Sequence, residues 1–521
     1  MRVRLNNCLM NPMFSIAVIG MAVLFFFHEQ TSIYYYLTIA QLFYVPLVVH
    51  TVETLKRWQK ICIMCGQIVV VLLYFVDAGP ITFILSIGYG VSMFAVFIAG
   101  IRRFMHRGFV HMEEIMIDIG LLYSMMAAVW YIAYVNKIQT GFTELITWLT
   151  AIHFHYSAIL LCIVVGLIGR VIKAKYYTIA SLIIATGPLL VAIGITFSRT
   201  IEILGVSFYV AAIFYVTASL LKMKHVVKFP ILVAFLTLCF TIIWSFLYAL
   251  SNFLQTDFVT IPDMLAFHGR LNCFLFGSAV TLAVVLFTPK TTFQGHTFPR
   301  SNLTSGHLNG QPHDGLIDRF SLFQKDVEFP TEITHFYEHT SQYRLHAIVK
   351  WSWWMKPFKR IYKWISTHMQ QLNLPITAEQ VEMHGELFLV EDERDCRQRP
   401  RVWQRKIHEE TVFTAIYSVH QENGQAFMNI ALPLPNTTMH GILHVHSDGE
   451  KVWLTSDAAG DAGTYLAFRK WLIQLPLHEY FQIEAHAGKL KATHYMKVFG
   501  IRFLHITYAI QKKHENCIHE D

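Results

Sequence analysis

Ten long apolar runs, separated by short polar intervals, fill the first 288 residues; beyond them polar and apolar residues mix or alternate. The runs lie at about 10–27, 32–50, 60–76, 79–100, 109–135, 143–169, 177–196, 201–221, 229–253 and 262–287. Crossing about 30 Å of hydrocarbon takes roughly 17 to 25 apolar residues in a helix, which satisfies its own backbone where no water can. The pattern therefore predicts a membrane region over residues 1–289 with ten transmembrane helices, the third being the shortest.

The rest of the chain follows different periods. A polar stretch over 290–325, with Thr, Ser, Gly, Asn and His, reads as a linker. The segment 326–515 reads as a folded α+β domain. Pro330 starts a short helix through Tyr337, Tyr343 to Trp351 alternates as a strand, and a second helix runs from Met355 to about Leu372, ended by Pro375. From Val381 onward come short alternating strands punctuated by Asn423-Gly424, Asp448-Gly449 and Gly488, the first two being hairpin signals. The expected fold is an all-α polytopic membrane bundle followed by an antiparallel sheet or barrel of about eight to ten strands with two helices. Such a domain forms a helix-grip or lipocalin-like cup, an architecture that commonly encloses an apolar ligand.

Charge sharpens the topology. The first 288 residues hold 17 Lys and Arg against 10 Asp and Glu; of the chain's 42 and 35 this leaves 25 of each in the tail, so the net +7 belongs to the membrane region. Cytoplasmic loops accumulate Lys and Arg. Alternate intervals do so here: Arg2 and Arg4; Lys56, Arg57 and Lys60; Arg102, Arg103 and Arg107; Arg170, Lys173 and Lys175; Lys222, Lys224 and Lys228. The intervening loops carry only Lys137 and Arg199. An even number of spans then places both termini in the cytoplasm of a plasma-membrane protein. No Cys falls in a presumed outer loop, so no disulfide framework is expected. No basic soluble patch with stacking aromatics suggests nucleic acid.

Ionisable groups at membrane depth are costly and mark functional sites. His153-Phe154-His155-Tyr156 lies in the sixth run, about 15 Å below its outer end, and Phe267-His268-Gly269-Arg270-Leu271-Asn272 in the tenth, with His268 roughly 9 Å deep. Residues two apart on a helix are turned by about 200°, so His153 and His155 cannot grip one ion from an unbroken helix. The expected constellation is one of these histidines facing His268 and Asn272, with Tyr156 or Arg270 as hydrogen-bonding partner. It serves interhelical packing, a ligand or proton pathway, or a bound haem or divalent metal. His111, Glu114 and Asp118 share one face of the fifth run, as half a metal site or as acids reaching toward Arg102, Arg103 and Arg107.

His153-Phe154-His155-Tyr156 after Thr150-Ala151, together with His268-Gly269 and Asn272, resembles the YndJ-like family of uncharacterised Bacillus-type membrane proteins. The run Met428-Asn429-Ile430-Ala431-Leu432-Pro433-Leu434-Pro435 is similar to a tail domain of unknown function that accompanies some of them. The resemblance implies a polytopic plasma-membrane protein with no assigned activity.

In the tail, Trp351, Trp353, Trp354, Phe358, Tyr362 and Trp364 interleave with Lys356, Lys359, Arg360 and Lys363, the mixture of a helix lying on an anionic bilayer or of a core helix with a basic edge. His440, His444 and His446 share one face of a strand. No P-loop, G-x-S-x-G, H-E-x-x-H or dinucleotide fingerprint occurs. The expectation is a protein that binds or passes a small apolar or lipid-like molecule through the His cluster and the cup. A His-dependent metal or haem redox enzyme, or a membrane sensor or scaffold, are the alternatives; the pattern leaves oligomeric state open.

Overall fold

The computed structural model describes residues 2–28, 33–223, 228–291, 293–304, 308, 310–324, 328–369, 371–408, 410–486 and 488–513. Lys224 of the basic intervals and the last residues of the expected tail domain lie outside them. The chain divides into two compact units, one essentially helical and one built on a sheet.

Among the described residues of the helical unit, nine helices are long and apolar enough to cross a membrane. With the shorter apolar helix α1, Pro12–Phe27, they are α2 (Tyr35–Val52), α3 (Arg57–Phe75), α4 (Pro80–Arg107), α5 (Met112–Val135), α6 (Glu144–Gly169), α7 (Tyr177–Phe197), α8 (Arg199–Leu220), α9 (Phe229–Leu254) and α10 (Ile261–Leu286). These coincide with the ten apolar runs. The short member is α1, at 16 residues; α3 gains length because its first turn recruits the polar residues Arg57 to Lys60. Asn11 fixes the start of α1 by accepting a hydrogen bond from the Met13 amide, with Pro12 at the first position, where no amide is needed. Large apolar side chains such as Ile84, Phe208 and Phe240 stand exposed on the bundle, as a surface immersed in lipid requires. α6 is the most enclosed span, with 83% of its central window buried.

Three helices contain widened turns. Ala40–Tyr44 in α2, Phe154–Leu160 in α6, and Leu265–Gly269 and Asn272–Gly277 in α10 are π-helical. Such widened turns are rare and concentrate at functional sites. The segments of α2, α6 and α10 meet: the Tyr44 hydroxyl donates to the Cys273 carbonyl at 2.9 Å, and the Tyr156 hydroxyl to the Tyr36 carbonyl at 2.7 Å. Gly277 leaves room for this junction, since a Cβ there would stand 2.4 Å from the Tyr44 ring.

The second unit is a closed barrel. Its strands are β1 (Gln311–Pro312), β2 (Tyr343–Trp351), β3 (Gln380–Leu389), β4 (Arg401–Ile407), β5 (Glu410–Glu422), β6 (Gln425–Leu434), β7 (Thr437–Ser447), β8 (Lys451–Thr455), β9 (Gly463–Phe468), β10 (Trp471–Gln474), β11 (Leu477–His486), β12 (Lys489–Val498) and β13 (Ile501–Lys512). All pairings are antiparallel, in the order β2-β3-β4-β5-β6-β7-β8-β11-β12-β13, and β13 returns to β2. Ten strands thus close on themselves, which removes the exposed edges an open sheet would leave. The β9–β10 hairpin branches from β7, and β1 pairs with β3. Asn423 and Gly424 both take positive φ in the two-residue turn between β5 and β6, the combination that matches strand twist in a tight hairpin.

Two helices accompany the barrel as expected, α11 (Thr331–Glu338) and α12 (Lys359–Met369). The stretch read as a linker is not one where it is described: Leu316, Ile317, Phe320 and Phe323 enter the barrel's core and Phe298 a smaller cluster on its flank. Sparse apolar residues spaced among polar ones gave that segment a linker's average polarity while supplying anchors. Trp351 ends β2, as the alternation predicts. It does not join the exposed aromatics of the basic helix with which the interleaving groups it, because it is buried, with its ring nitrogen donating to the Pro375 carbonyl.

Candidate functional site

The helical unit encloses a cavity of about 280 Å3 between α6, α7, α8, α9 and α10. Its walls are mostly apolar, as in Leu161, Pro188, Val206 and Phe276, and a few polar groups converge on it. His153 of α6 and His268 of α10 both line it, their rings stacked at 6.4 Å between centroids. Each has one nitrogen tied down. His153 Nδ1 lies 2.6 Å from the Leu149 carbonyl of its own helix, and His268 Nδ1 lies 2.9 Å from the Thr241 carbonyl and 3.2 Å from Ser245 Oγ of α9. A carbonyl can only accept, so Nδ1 carries a proton in both rings.

Asn272 joins the same lining, accepting from the Thr241 hydroxyl at 3.0 Å. Tyr156 lines the cavity as well, while its hydroxyl is spent on the Tyr36 carbonyl and on Cys273 Sγ at 3.3 Å. The other two expected members are elsewhere. His155 is fully buried on the opposite side of α6, with Nδ1 on the Ala151 carbonyl and Nε2 2.6 Å from the Tyr89 hydroxyl of α4. Arg270 stands exposed on α10 and does not line the cavity.

Sequence reasoning passed over Glu202 and Asn252. Glu202 follows the α8 N-cap Ser198 and reads as an ordinary first-turn acid. It is nevertheless buried, lines the cavity, and accepts from Asn252 Nδ2 at 3.1 Å. Gly194 permits this approach, since a Cβ there would meet Glu202 Cα at 2.5 Å. The available signal was its pairing with an Asn near the end of an apolar run.

His111, Glu114 and Asp118 are not brought together as ligands. Arg103 binds Asp118 at 2.8 Å, Glu114 at 3.0 Å and Glu53 at 2.9 Å; Arg170 holds Glu114 at 2.7 Å; Arg102 holds Glu53 at 2.5 Å. Thr291 also donates to Glu114. His111 serves as the backbone N-cap of α5. Three carboxylates matched by three guanidiniums tie the ends of α2, α4, α5 and α6 together, and the value of such a network lies in its completeness. Among the described residues no group of three or more His, Cys, Asp or Glu is placed to hold a metal ion. His153 and His268 would offer a metal or haem two imidazoles, with no third His, Cys, Asp or Glu placed beside them among the described residues.

The barrel has its own interior cavity of about 100 Å3, lined chiefly by Leu, Ile, Met and aromatic residues but also by Arg405, Glu479 and His494. His440, His444 and His446 point away from it, because their neighbours Met439, Gly441 and Leu443 line it. His440 Nδ1 lies 3.2 Å from Asn429 Oδ1, and His446 stacks on Trp453. On α12, Tyr362 and Met369 turn toward the barrel core, whereas Ile361 and Trp364 are exposed, as are Trp353, by 80%, and Phe358 in the 3-10 turns, Trp353–Phe358, that precede it. Lys356 and Arg360 stand exposed beside them and Lys363 is half-buried; Lys359 donates to the Ile376 carbonyl and Trp354 to that of Arg502.

The family model described as YndJ-like protein matches residues 35–276, which contain the whole intramembrane cavity. A curated relative, the uncharacterized membrane protein YndJ of Bacillus subtilis (strain 168), is 36% identical over 449 residues, covering 80% of this chain and 82% of its own. The chain belongs to the YndJ-like family. It is a multi-pass membrane protein of uncharacterised function, and the extent of the match carries the YndJ-like relationship past the helices into the barrel. No solved structure matches the chain significantly.

Proposed function

We propose that this YndJ-like protein binds or passes a small apolar or lipid-like molecule, using the intramembrane cavity and the barrel as two binding elements. The observation that carries the reading is the cavity itself: an apolar chamber of about 280 Å3 whose polar groups, the His153–His268 pair and Glu202–Asn252, sit on facing helices. Ligand pockets have this composition, mostly apolar with few placed polar groups. The lining concentrates where α6, α8 and α10 begin and α7 and α9 end, as Ile146, Ile195, Glu202, Asn252 and Met264 mark. The alternating Lys and Arg flanks support assigning that end to the outside of the membrane and both termini to the cytoplasm.

The test is native mass spectrometry of gently purified protein together with its Ser157→Trp variant, which fills the cavity from α6. A lipid or apolar adduct present on the wild type and lost on the variant is expected. An adduct-free wild type, or one unaffected by filling, overturns the proposal. A stoichiometric metal or a Soret band lost in His268→Ala would replace it with the redox reading.

A further inference from the structure

Among the described residues, no carboxylate or hydrogen-bond acceptor answers a half-buried guanidinium that lines the barrel interior. Arg405 projects inward from β4 two residues after Trp403, and its guanidinium carbon lies over the Trp403 ring at 4.6 Å and the Phe413 ring at 4.1 Å. It forms no ion pair or side-chain hydrogen bond among the described residues, and its Nε is buried without a partner. An arginine brought into an apolar chamber without an acceptor is costly. The neighbouring polar groups do not offset this cost: His494, whose Nε2 is likewise buried without a hydrogen-bond partner, lies against Phe481 with ring centroids 3.7 Å apart. The acid in the same cavity, Glu479, approaches His494 at 3.8 Å.

We infer that the barrel takes up a monocarboxylate with a compact apolar body, its head paired in the plane of the Arg405 guanidinium and its body against the Leu, Ile and Met wall. The choice of head follows from geometry. A guanidinium lying over aromatic rings offers its edge, where two parallel N–H bonds suit a carboxylate. One unanswered positive charge fits one negative charge, and a second acid in the chamber disfavours a dianion. The choice of body follows from size, since about 100 Å3 admits a single ring or a short to medium chain without rearrangement.

This rests on the barrel being the cup of the proposed function, so the experiment separates the two. Full-length protein in nanodiscs is dialysed against radiolabelled octanoate, with empty nanodiscs subtracted, and compared with Arg405→Gln, Arg405→Lys and Met428→Trp, the last filling the barrel. Thermal melts confirm that each variant is folded. Saturable one-to-one binding is expected, weakened about 10-fold to 100-fold in Arg405→Gln, partly kept in Arg405→Lys and abolished in Met428→Trp. Competition by unlabelled octanoate but not by octanol supports the head assignment. Stronger competition by octyl phosphate, or folded Arg405→Gln binding like wild type, overturns it. If radiolabelled octanol binds saturably and Met428→Trp removes that binding, the cup reading survives such a failure; if neither probe binds, both fail.

Discussion

At the scale of single residues, Glu479 is a group whose environment changes its chemistry. Burial inside the barrel pushes its carboxyl up to about 7, from an ordinary value near 4.5. A carboxyl whose folded value is raised binds its proton more tightly when folded, so folding is opposed once pH exceeds the unfolded value. The penalty is absent below about pH 4.5, grows through the window from 4.5 to 7, and levels off above it at about 3 kcal/mol, from about 1.36 kcal/mol per unit. His494, held down to about 3 by burial and by the Arg405 charge, works the other way: it is neutral when folded, so its contribution is complete above pH 6.5 and lost as pH falls. Subtracting the melting curves of Glu479→Gln and wild type isolates the carboxyl. The variant is expected to be more stable at pH 8, by up to about 3 kcal/mol, and indistinguishable at pH 4.5. A gain of equal size at both pH values would mean the carboxyl is not desolvated.

At the scale of elements, the apolar face of α12 is the one with a function still to be assigned. Phe358, Ile361 and Ile365 repeat at helical spacing and are exposed, with Trp353 and Trp364 beside them and Lys356 and Arg360 within the same short stretch. A soluble helix would bury that face. We propose that it lies on an anionic lipid surface, for which an amphipathic helix with a basic margin is suited. In nanodiscs containing brominated phosphatidylserine, tryptophan emission is expected to be quenched more in wild type than in a Trp353→Phe and Trp364→Phe double variant. Equal fractional quenching sinks the assignment. The interleaving of aromatic and basic residues around this helix was legible in the sequence but its exposed face was not, since Trp351 and Tyr362 pack against the core while Ile361 and Ile365 stand out; the ten apolar runs and the Asn423-Gly424 turn were legible because they are local patterns. A barrel was one of the two sheet forms the strands suggested, but its closure was not fixed by local pattern, since it depends on β13 returning to β2 from the far end of the domain and on β8 reaching β11 past the β9–β10 hairpin. Nor was the site wholly legible: the sequence left open whether His153 or His155 faces His268, which depends on how α6 and α10 pack around their π turns, and that Glu202 is buried depends on Gly194 of another helix admitting it.

At the scale of the whole molecule, sidedness decides what the intramembrane cavity can meet. Fourteen Lys and Arg lie at one set of helix ends and two at the other, yet several of the fourteen are consumed by carboxylates: Arg102, Arg103 and Arg170 pair with Glu53, Glu114 and Asp118, and Lys173 with Glu113. The orienting bias acts through Lys and Arg themselves and responds little to acids, so these pairs do not weaken it. The connection between α5 and α6 lies at the end where the cavity lining concentrates, and Gln139 stands exposed there, while Lys175 stands exposed in the connection between α6 and α7 at the other end. Cysteine at these two positions therefore reads the orientation of the cavity directly. With an impermeant maleimide, Gln139→Cys is expected to label in intact cells above the wild-type background, and Lys175→Cys only after the membrane is opened. The opposite pattern would invert the topology, place the His153–His268 chamber toward the cytoplasm, and put the barrel on the outside, where it would meet ligands from the medium instead of from the cell.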